Sequence, residues 1–167
     1  MYKILDLPKV PEHLILPVNE VLKLENVFYG MSTNYSTHPV QDELKEYLLQ
    51  FFPEYEFFRY QLLKDEIPIH IDSSRDIAMN YIIDTGGSNV STIWYDESHA
   101  TVIESIEFQP NIWHSIRTDI PHNVNNITGQ RFAITVTKCS DVDKWEEFMA
   151  RQVEYNKLIN TSSKNGD

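Results

Sequence analysis

Two hydrophobic periods divide the chain. Between residues 40 and 52, Val40, Leu44, Tyr47, Leu48 and Phe51 recur at the spacing of one buried helical face. Asp42 and Glu43 suit the positive end of that helix, and Pro53 helps to stop it. From Tyr55 onward the period shortens. The segments YEFFRYQLL, IPIHID, IAMNYIID, VSTIWYD, VIESIEF, IWHSI, PHNVN and RFAITVTK are short and rich in β-branched or aromatic residues. SSRD, DTGGSN, QPN and NITGQ supply turns between several of them. About eight short strands at this spacing predict a sandwich or small barrel. A second helical pattern opens at Ser140, with Asp143 as its capping partner. Trp145, Phe148, Met149 and Gln152 lie along one side of it and predict a helix docked on the barrel. Prolines 8, 11 and 17 predict an extended N-terminal segment lying across the domain. The expectation is a mainly β domain over residues 1–160, with one helix before the strands and one after, both packed outside. A mobile polar tail is expected over residues 161–167.

Composition narrows the class. A chain of 167 residues suits one hydrophobic core, and 41% hydrophobic content is ordinary for a globular protein. The net charge of −11 repels phosphate backbones, so no nucleic-acid partner is expected. One cysteine, Cys139, permits neither an intrachain disulfide nor a Cys-based zinc knuckle, and predicts a reducing, cytoplasmic setting. The start of the chain lacks the apolar core of a secretory signal. No apolar run approaches the roughly 20 residues of a membrane span, so no membrane partner is expected.

The chemistry concentrates on few residues. His70 and Asp72 stand two apart in IPIHID, and in a strand such residues share a face, so both can meet one ion. Alone, the pair is equally explained by a polar turn after Ile71. His122, on a late strand, is the leading third ligand. Two imidazoles and one carboxylate on one side of a metal leave the opposite positions open. Arg131 follows across the NITGQ turn, which predicts that it and His122 occupy neighbouring antiparallel strands, both facing inward. A buried guanidinium needs an anion, and a small-molecule carboxylate held by its planar fork would serve.

Other residues are weighed against this set. Asn80, in the apolar run AMNYII, needs hydrogen-bond partners and is a pocket candidate. Trp94 reads as core, His114 as a partly exposed strand residue, and Arg75 as a solvated loop residue. Arg117 falls in a turn-like stretch and suits an inward role less well than Arg131. DTGGSN lacks phosphate-loop spacing and a following lysine. The N-terminal segment and the loop YDESHAT are expected to wall the pocket.

His-x-Asp, a histidine about fifty residues later and an arginine about ten beyond that resemble the pattern of the 2-oxoglutarate/Fe(II)-dependent oxygenases. The stretch from IPIHIDSSRDIAMNYII through STIWYD to FQPNIWHSIRTDIPHNVNNITGQRFAITV is similar to small oxygenase-like proteins of marine bacteriophages and bacteria. The likeness covers about residues 55–138. It implies a double-stranded β-helix (jelly roll, cupin-like) and Fe(II) held by His70, Asp72 and His122. It also implies 2-oxoglutarate with its distal carboxylate on Arg131. Hydroxylation of a small molecule or protein side chain would then release succinate and carbon dioxide, in the host cytoplasm if the gene is carried by a phage. Some relatives carry Arg-x-Ser, whereas Phe132 and Ala133 follow Arg131 here, so a Thr or Tyr elsewhere must supply the second hydrogen bond. Tyr81 and Tyr60 are the candidates. Two further readings stand beside this one: a cupin-like metalloenzyme of another class, with His114 as an added ligand, and a non-catalytic barrel that binds a partner.

Overall fold

The chain opens with β1 (Tyr2–Ile4), a 3-10 turn (Glu12–Leu14) and a one-turn helix, α1 (Val18–Val21). β2 (Phe28–Tyr29) and β3 (Tyr35–Pro39) make a hairpin, and α2 (Asp42–Leu49) follows. Eight strands come next: β4 (Phe57–Leu63), β5 (Ile67–His70), β6 (Ile77–Asp84), β7 (Ser91–Tyr95), β8 (Val102–Ile106), β9 (Trp113–Arg117), β10 (His122–Asn125) and β11 (Arg131–Thr137). The last element is α3 (Val142–Lys164). The computed structural model describes residues 1–164. The end of the tail predicted to be mobile, residues 165–167, lies outside the described residues; α3 itself continues beyond residue 160.

All eight strands predicted after Tyr55 form, and they divide evenly between two sheets. The larger sheet has the order β1-β9-β6-β11-β4-β3-β2, and the smaller β5-β10-β7-β8; every pairing is antiparallel. The chain passes from sheet to sheet between most consecutive strands, which closes a jelly roll. Three strands at the margins, β1, β2 and β3, went unpredicted because they are short and lack sustained alternation. The proline-rich N-terminal segment does lie across the domain, anchored by β1 on β9 and by buried Val10.

Alternation gives the larger sheet two different faces. Phe58, Tyr60 and Leu62 of β4, Tyr81 of β6, Trp113 of β9 and Phe132, Ile134 and Val136 of β11 face outward. They pack beneath Val21, Leu44, Leu48 and Phe52 in the main apolar core. The opposite face carries Ala78, Asn80, Arg131 and Thr135 and looks toward the smaller sheet. Apolar clusters fill two regions between the sheets: Ile82, Trp94, Phe108 and Ala133 in one, Leu63, Ile67, Val90 and Val124 in the other. Polar side chains occupy the space that remains.

Both helices dock as predicted, with different ends. α2 is shorter than residues 40–52, although Val40 and Phe52 are still buried beside it. α3 is capped by Asp141 rather than Ser140: the Lys144 amide donates to Asp141 Oδ1 at 3.1 Å, while the Ser140 hydroxyl donates to Asp76. Phe28 meets the edges of Trp145 and Phe148 at 5.9 and 5.5 Å between ring centroids, and Trp145 lies 4.5 Å from Phe57. Gln152 is buried, and its side-chain amide completes the edge of β2. The Tyr29 N–H donates to Gln152 Oε1 at 2.6 Å and Gln152 Nε2 donates to the Tyr29 carbonyl at 2.7 Å. No helix among the described residues is long and apolar enough to cross a membrane.

Candidate metal centre

His70 closes β5 and His122 opens β10, directly opposite one another in an antiparallel pair. β5 is an edge strand, which is why Pro68 is tolerated in it. The two imidazole centroids are 4.3 Å apart. Asp72 lies two residues beyond the strand rather than inside it. Its loop is held by the Asp72 amide donating to the Thr118 carbonyl at 2.8 Å and the Thr118 hydroxyl donating to the Arg75 carbonyl at 3.0 Å. One ligand atom from each of His70, Asp72 and His122 falls within 4.8 Å of the others, a separation that one ion can bridge.

Both imidazoles are oriented by the backbone. His70 Nδ1 lies 2.9 Å from the Pro68 carbonyl, and His122 Nδ1 2.7 Å from the Ile120 carbonyl. A carbonyl only accepts, so each Nδ1 carries the proton and each Nε2 presents a lone pair. This carbonyl support is the usual second layer of a histidine–metal site. Burial holds the His122 pKa below the ordinary histidine range, against the attraction of Asp72, and so favours the neutral ring that a metal requires.

Arg75 departs from expectation. It is not a solvated loop residue: its Nε donates to Asp72 Oδ2 at 2.7 Å, and only about a fifth of its side chain is exposed. Burial alone would raise the Asp72 pKa, but Arg75, His70 and His122 together hold it well below the usual carboxylate range. Oδ1, 3.4 Å from His70 Nε2, remains on the metal side.

An interior cavity of about 40 Å³ runs from the three ligands to Arg131, past Asn80, Thr92, Thr135 and Tyr35. Arg131 and His122 are not on neighbouring strands as predicted. Arg131 opens β11 in the larger sheet and faces the triad from across the barrel interior. The NITGQ loop therefore crosses between sheets instead of making a hairpin. Gly86 lies against the start of β11 with φ +83°, and a Cβ there would come within 2.7 Å of the Arg131 amide nitrogen. Arg131 is buried, forms no ion pair among the described residues, and has no partner for its Nε. Burial pushes its pKa down to about 10, with the nearby Tyr35 acting the other way. Asn80 faces the same cavity, and its Oδ1 is also unpartnered.

Three other expectations are corrected. Tyr81 does not reach the cavity: adjacent strand residues face opposite ways, so with Asn80 inward Tyr81 packs outward, 5.2 Å from Trp113. Tyr60 is likewise in the outer core, its hydroxyl donating to Gln41. His114 is fully buried rather than partly exposed. It stacks on Phe108 at 3.7 Å, opposite Asn80, and is not one of the triad. Burial, then the Arg131 charge, push its pKa down to about 3. The Ile112 carbonyl opposes this, yet neither ring nitrogen makes a well-formed hydrogen bond. Trp94 is core, as expected, with Nε1 donating to the Arg117 carbonyl. Arg117 pairs with Asp119 at the surface.

Sequence reasoning missed Tyr35. Its phenolic oxygen accepts from Gln61 Nε2 at 3.1 Å and Arg75 Nη2 at 3.3 Å, leaving its own proton to donate within the cavity. The ring sits so close to Gly30 that a Cβ there would be 2.0 Å away. The pairing of a small residue with an aromatic across the GMSTN turn was the available signal.

Outside the triad lies a larger cleft of about 520 Å³, reaching His70, Ile71 and Asp72 at its inner end. Its walls are the β2–β3 hairpin and the inner face of α3, not the YDESHAT loop. That loop folds on itself, with Asp96 accepting from Ser98, Ala100 and Thr101. Arg59, Lys138 and Arg151 line this cleft together with Phe28, Trp145 and Phe148.

No family model matches the sequence, and no curated protein does. Solved structures do. An oxidoreductase of the 2OG-Fe(II) oxygenase family from Burkholderia pseudomallei is similar with a TM-score of 0.52 and 9% identity, over 72% of this chain and 76% of its own. A prolyl hydroxylase from Trichoplax adhaerens, in complex with a hypoxia inducible factor oxygen degradation domain peptide fragment, has a TM-score of 0.51 and 14% identity, over 76% and 77%. What this chain shares with both is its fold, the double-stranded β-helix.

Proposed function

We propose that this chain is an Fe(II)- and 2-oxoglutarate-dependent dioxygenase that hydroxylates a small molecule or protein side chain, with succinate and carbon dioxide as co-products. The observation that carries the reading is one cavity with two chemically matched ends. His70, Asp72 and His122 converge at one, and the unpaired guanidinium of Arg131 stands buried at the other. A buried cation without a counter-ion is costly, and a dicarboxylate with a metal-binding keto acid at one end satisfies both ends together. The donor set fits the metal: nitrogen and oxygen ligands confined to one side suit non-haem iron with open positions.

Bound iron would supply oxygen activation, and 2-oxoglutarate the electrons for it. The protein's own part is positional. His70 and His122 offer Nε2 atoms oriented by the Pro68 and Ile120 carbonyls, and Asp72 offers one oxygen while Arg75 holds the other. Arg131 would take the distal carboxylate, with Tyr35 and Asn80 beside it, which supplies the hydrogen bond that Ala133 cannot give. The apolar clusters on either side keep water from this space. The reading of a cupin-like enzyme with more histidine ligands loses ground because His114 stands apart from the triad. A reducing cytoplasm suits both ferrous iron and the single thiol, Cys139.

The test is succinate formation from 2-oxoglutarate by the purified protein with Fe(II) and ascorbate, alongside calorimetric titration of 2-oxoglutarate into Mn(II)-loaded protein. Stoichiometric binding that Arg131→Gln abolishes supports the reading. No binding by metal-loaded protein overturns it.

A further inference from the structure

The outer cleft is basic although the chain as a whole is acidic. The chain has 25 acidic against 14 basic residues, yet Arg59, Arg75, Lys138 and Arg151 line this cleft. Asp72 is the one acid among the described lining residues, and it is already committed to Arg75 and the metal position. Arg59 is the centre of this patch. Its guanidinium lies 3.8 Å over the Phe28 ring, and it donates to the Thr37 hydroxyl at 2.8 Å and to the carbonyls of Thr37 and Asn26. Those partners are neutral; no carboxylate pairs with it among the described residues, and burial pushes its pKa down to about 10. Arg59 also stands directly across from Thr135 of β11, which lines both the cleft and the interior cavity, so the charge sits at the junction of the two. Arg151 and Lys138 are exposed and make no ion pair among the described residues. Lys138 lies 5.5 Å over the Tyr55 ring.

We infer that the cleft takes a small anionic substrate, its charged group held by Arg59 with Arg151 and Lys138 near the rim, and its apolar body laid against Phe28, Trp145 and Phe148. Planar cationic forks recognise carboxylate and phosphate alike, and a basic cleft on an otherwise acidic protein draws anions toward it. The cleft volume is that of a small-molecule site. An extended peptide adding to the sheet edge is disfavoured by the same geometry. The outward N–H and C=O of Tyr29 are consumed by Gln152, and the Met31 carbonyl accepts from the Tyr155 hydroxyl. This inference rests on the dioxygenase reading for what happens to the substrate, not for its binding.

The experiment is therefore done on the metal-free full chain without 2-oxoglutarate. Binding of 3-phenylpropionate, phenyl phosphate, 3-phenylpropionamide and 3-phenylpropylamine is compared by ligand-observed NMR and calorimetry. Either anion is expected to bind at least tenfold more tightly than the amide, and the amine not at all; the ratio of the two anions identifies the preferred charged group. Arg59→Gln should weaken the anions at least tenfold, and Arg151→Ala, an exposed residue at the cleft rim, severalfold without touching the fold. Equal affinity for amide and acid overturns the inference. So does anion binding that survives Arg59→Gln but is lost in Arg131→Gln, which would place it in the interior cavity, and so does tighter binding of a neutral decapeptide than of either anion. Anion binding with no 2-oxoglutarate binding by the Mn(II)-loaded protein would remove the dioxygenase reading and leave this one standing.

Discussion

His70 and His122 are cross-strand partners with ring centroids 4.3 Å apart, and each Nδ1 is bonded to the carbonyl two residues before it, which leaves each Nε2 for a ligand. The relation is built mainly from backbone: one antiparallel pair and two carbonyls orient both rings, with Asp72 Oδ1 3.4 Å from His70 Nε2. Ligation then orders little that is not already ordered.

A preformed site of this kind binds metal in the native state and not in the unfolded one, so metal stabilises the fold. Mn(II) at about one hundred times its dissociation constant should stabilise the protein by about 2.7 kcal/mol, read as a raised Tm. His122→Ala should fold and lose the entire shift. A wild-type Tm unmoved by Mn(II), Fe(II) or Zn(II) would refute the assignment of the triad.

The Asp72–Arg75 pair makes a second, separable prediction. Both side chains are mostly covered, so removing one leaves the other charged and buried. Asp72→Ala should cost about 3 kcal/mol in urea unfolding, and Asp72→Ala with Arg75→Ala clearly less than the sum of the two single changes. Strict additivity would show that the pair is solvated and structurally idle.

At the far end of the cavity the expected changes separate from those of the metal. Arg131→Lys retains charge but loses the fork, and should weaken 2-oxoglutarate by about tenfold or more while leaving the Mn(II) shift intact. Tyr35→Phe should cost about 1 kcal/mol of the same affinity, the worth of one hydrogen bond. Calorimetry of each variant with and without 2-oxoglutarate checks both.

What the sequence disclosed follows from which interactions are local. Strand alternation and turns are short-range, so the eight strands and the His70–Asp72 pair were legible, and Asn80 stood out as a polar residue in an apolar run. Contacts made across the barrel were not. Tyr81 and its neighbour Asn80 cannot both face the pocket, because strand periodicity sends adjacent residues to opposite faces, and Asn80 takes the inward one. Arg131 does face the interior, but from the sheet opposite His122, because a short turn between two strands reads as a hairpin whether or not the strands share a sheet. Tyr35 acts through Gln61 and Arg75, 26 and 40 residues away, and no local pattern marks such contacts; Arg75 also pairs with Asp72 three residues before it.

His114 gives the pH prediction. Its folded pKa is pushed down to about 3, so the unfolded chain, with an ordinary histidine, takes up a proton first as pH falls. Its neutral burial is therefore fully compatible with folding above about pH 6.5, and stability is lost progressively from there toward pH 3, at a limiting slope of about 1.4 kcal/mol per pH unit. His114→Phe preserves the stack on Phe108 and removes the proton uptake. The stability difference between variant and wild type should shift in the variant's favour by about 1.6 kcal/mol between pH 6.5 and 5. Parallel pH profiles for the two proteins would mean that the ring titrates normally in the fold.

Gln152 tests whether α3 belongs to the site or merely rests on it. Its amide is the main polar tie between the helix and the barrel, and it occupies both free backbone groups of Tyr29 on the edge of β2. Gln152→Ala removes two hydrogen bonds and leaves a half-buried N–H and C=O to find water, a loss of about 2 kcal/mol. The aromatic contacts of Trp145 and Phe148 with Phe28 remain, so the helix should persist and detach more often rather than unfold with the barrel. Hydrogen exchange should accelerate by about tenfold or more across α3 and at Tyr29, with β4, β6 and β11 unchanged. The wall of the outer cleft is that same helix, so anion affinity should fall in this variant while the Mn(II) shift stays as in the wild type. A variant whose α3 exchanges as slowly as before would show that the aromatic cluster alone holds the helix in place.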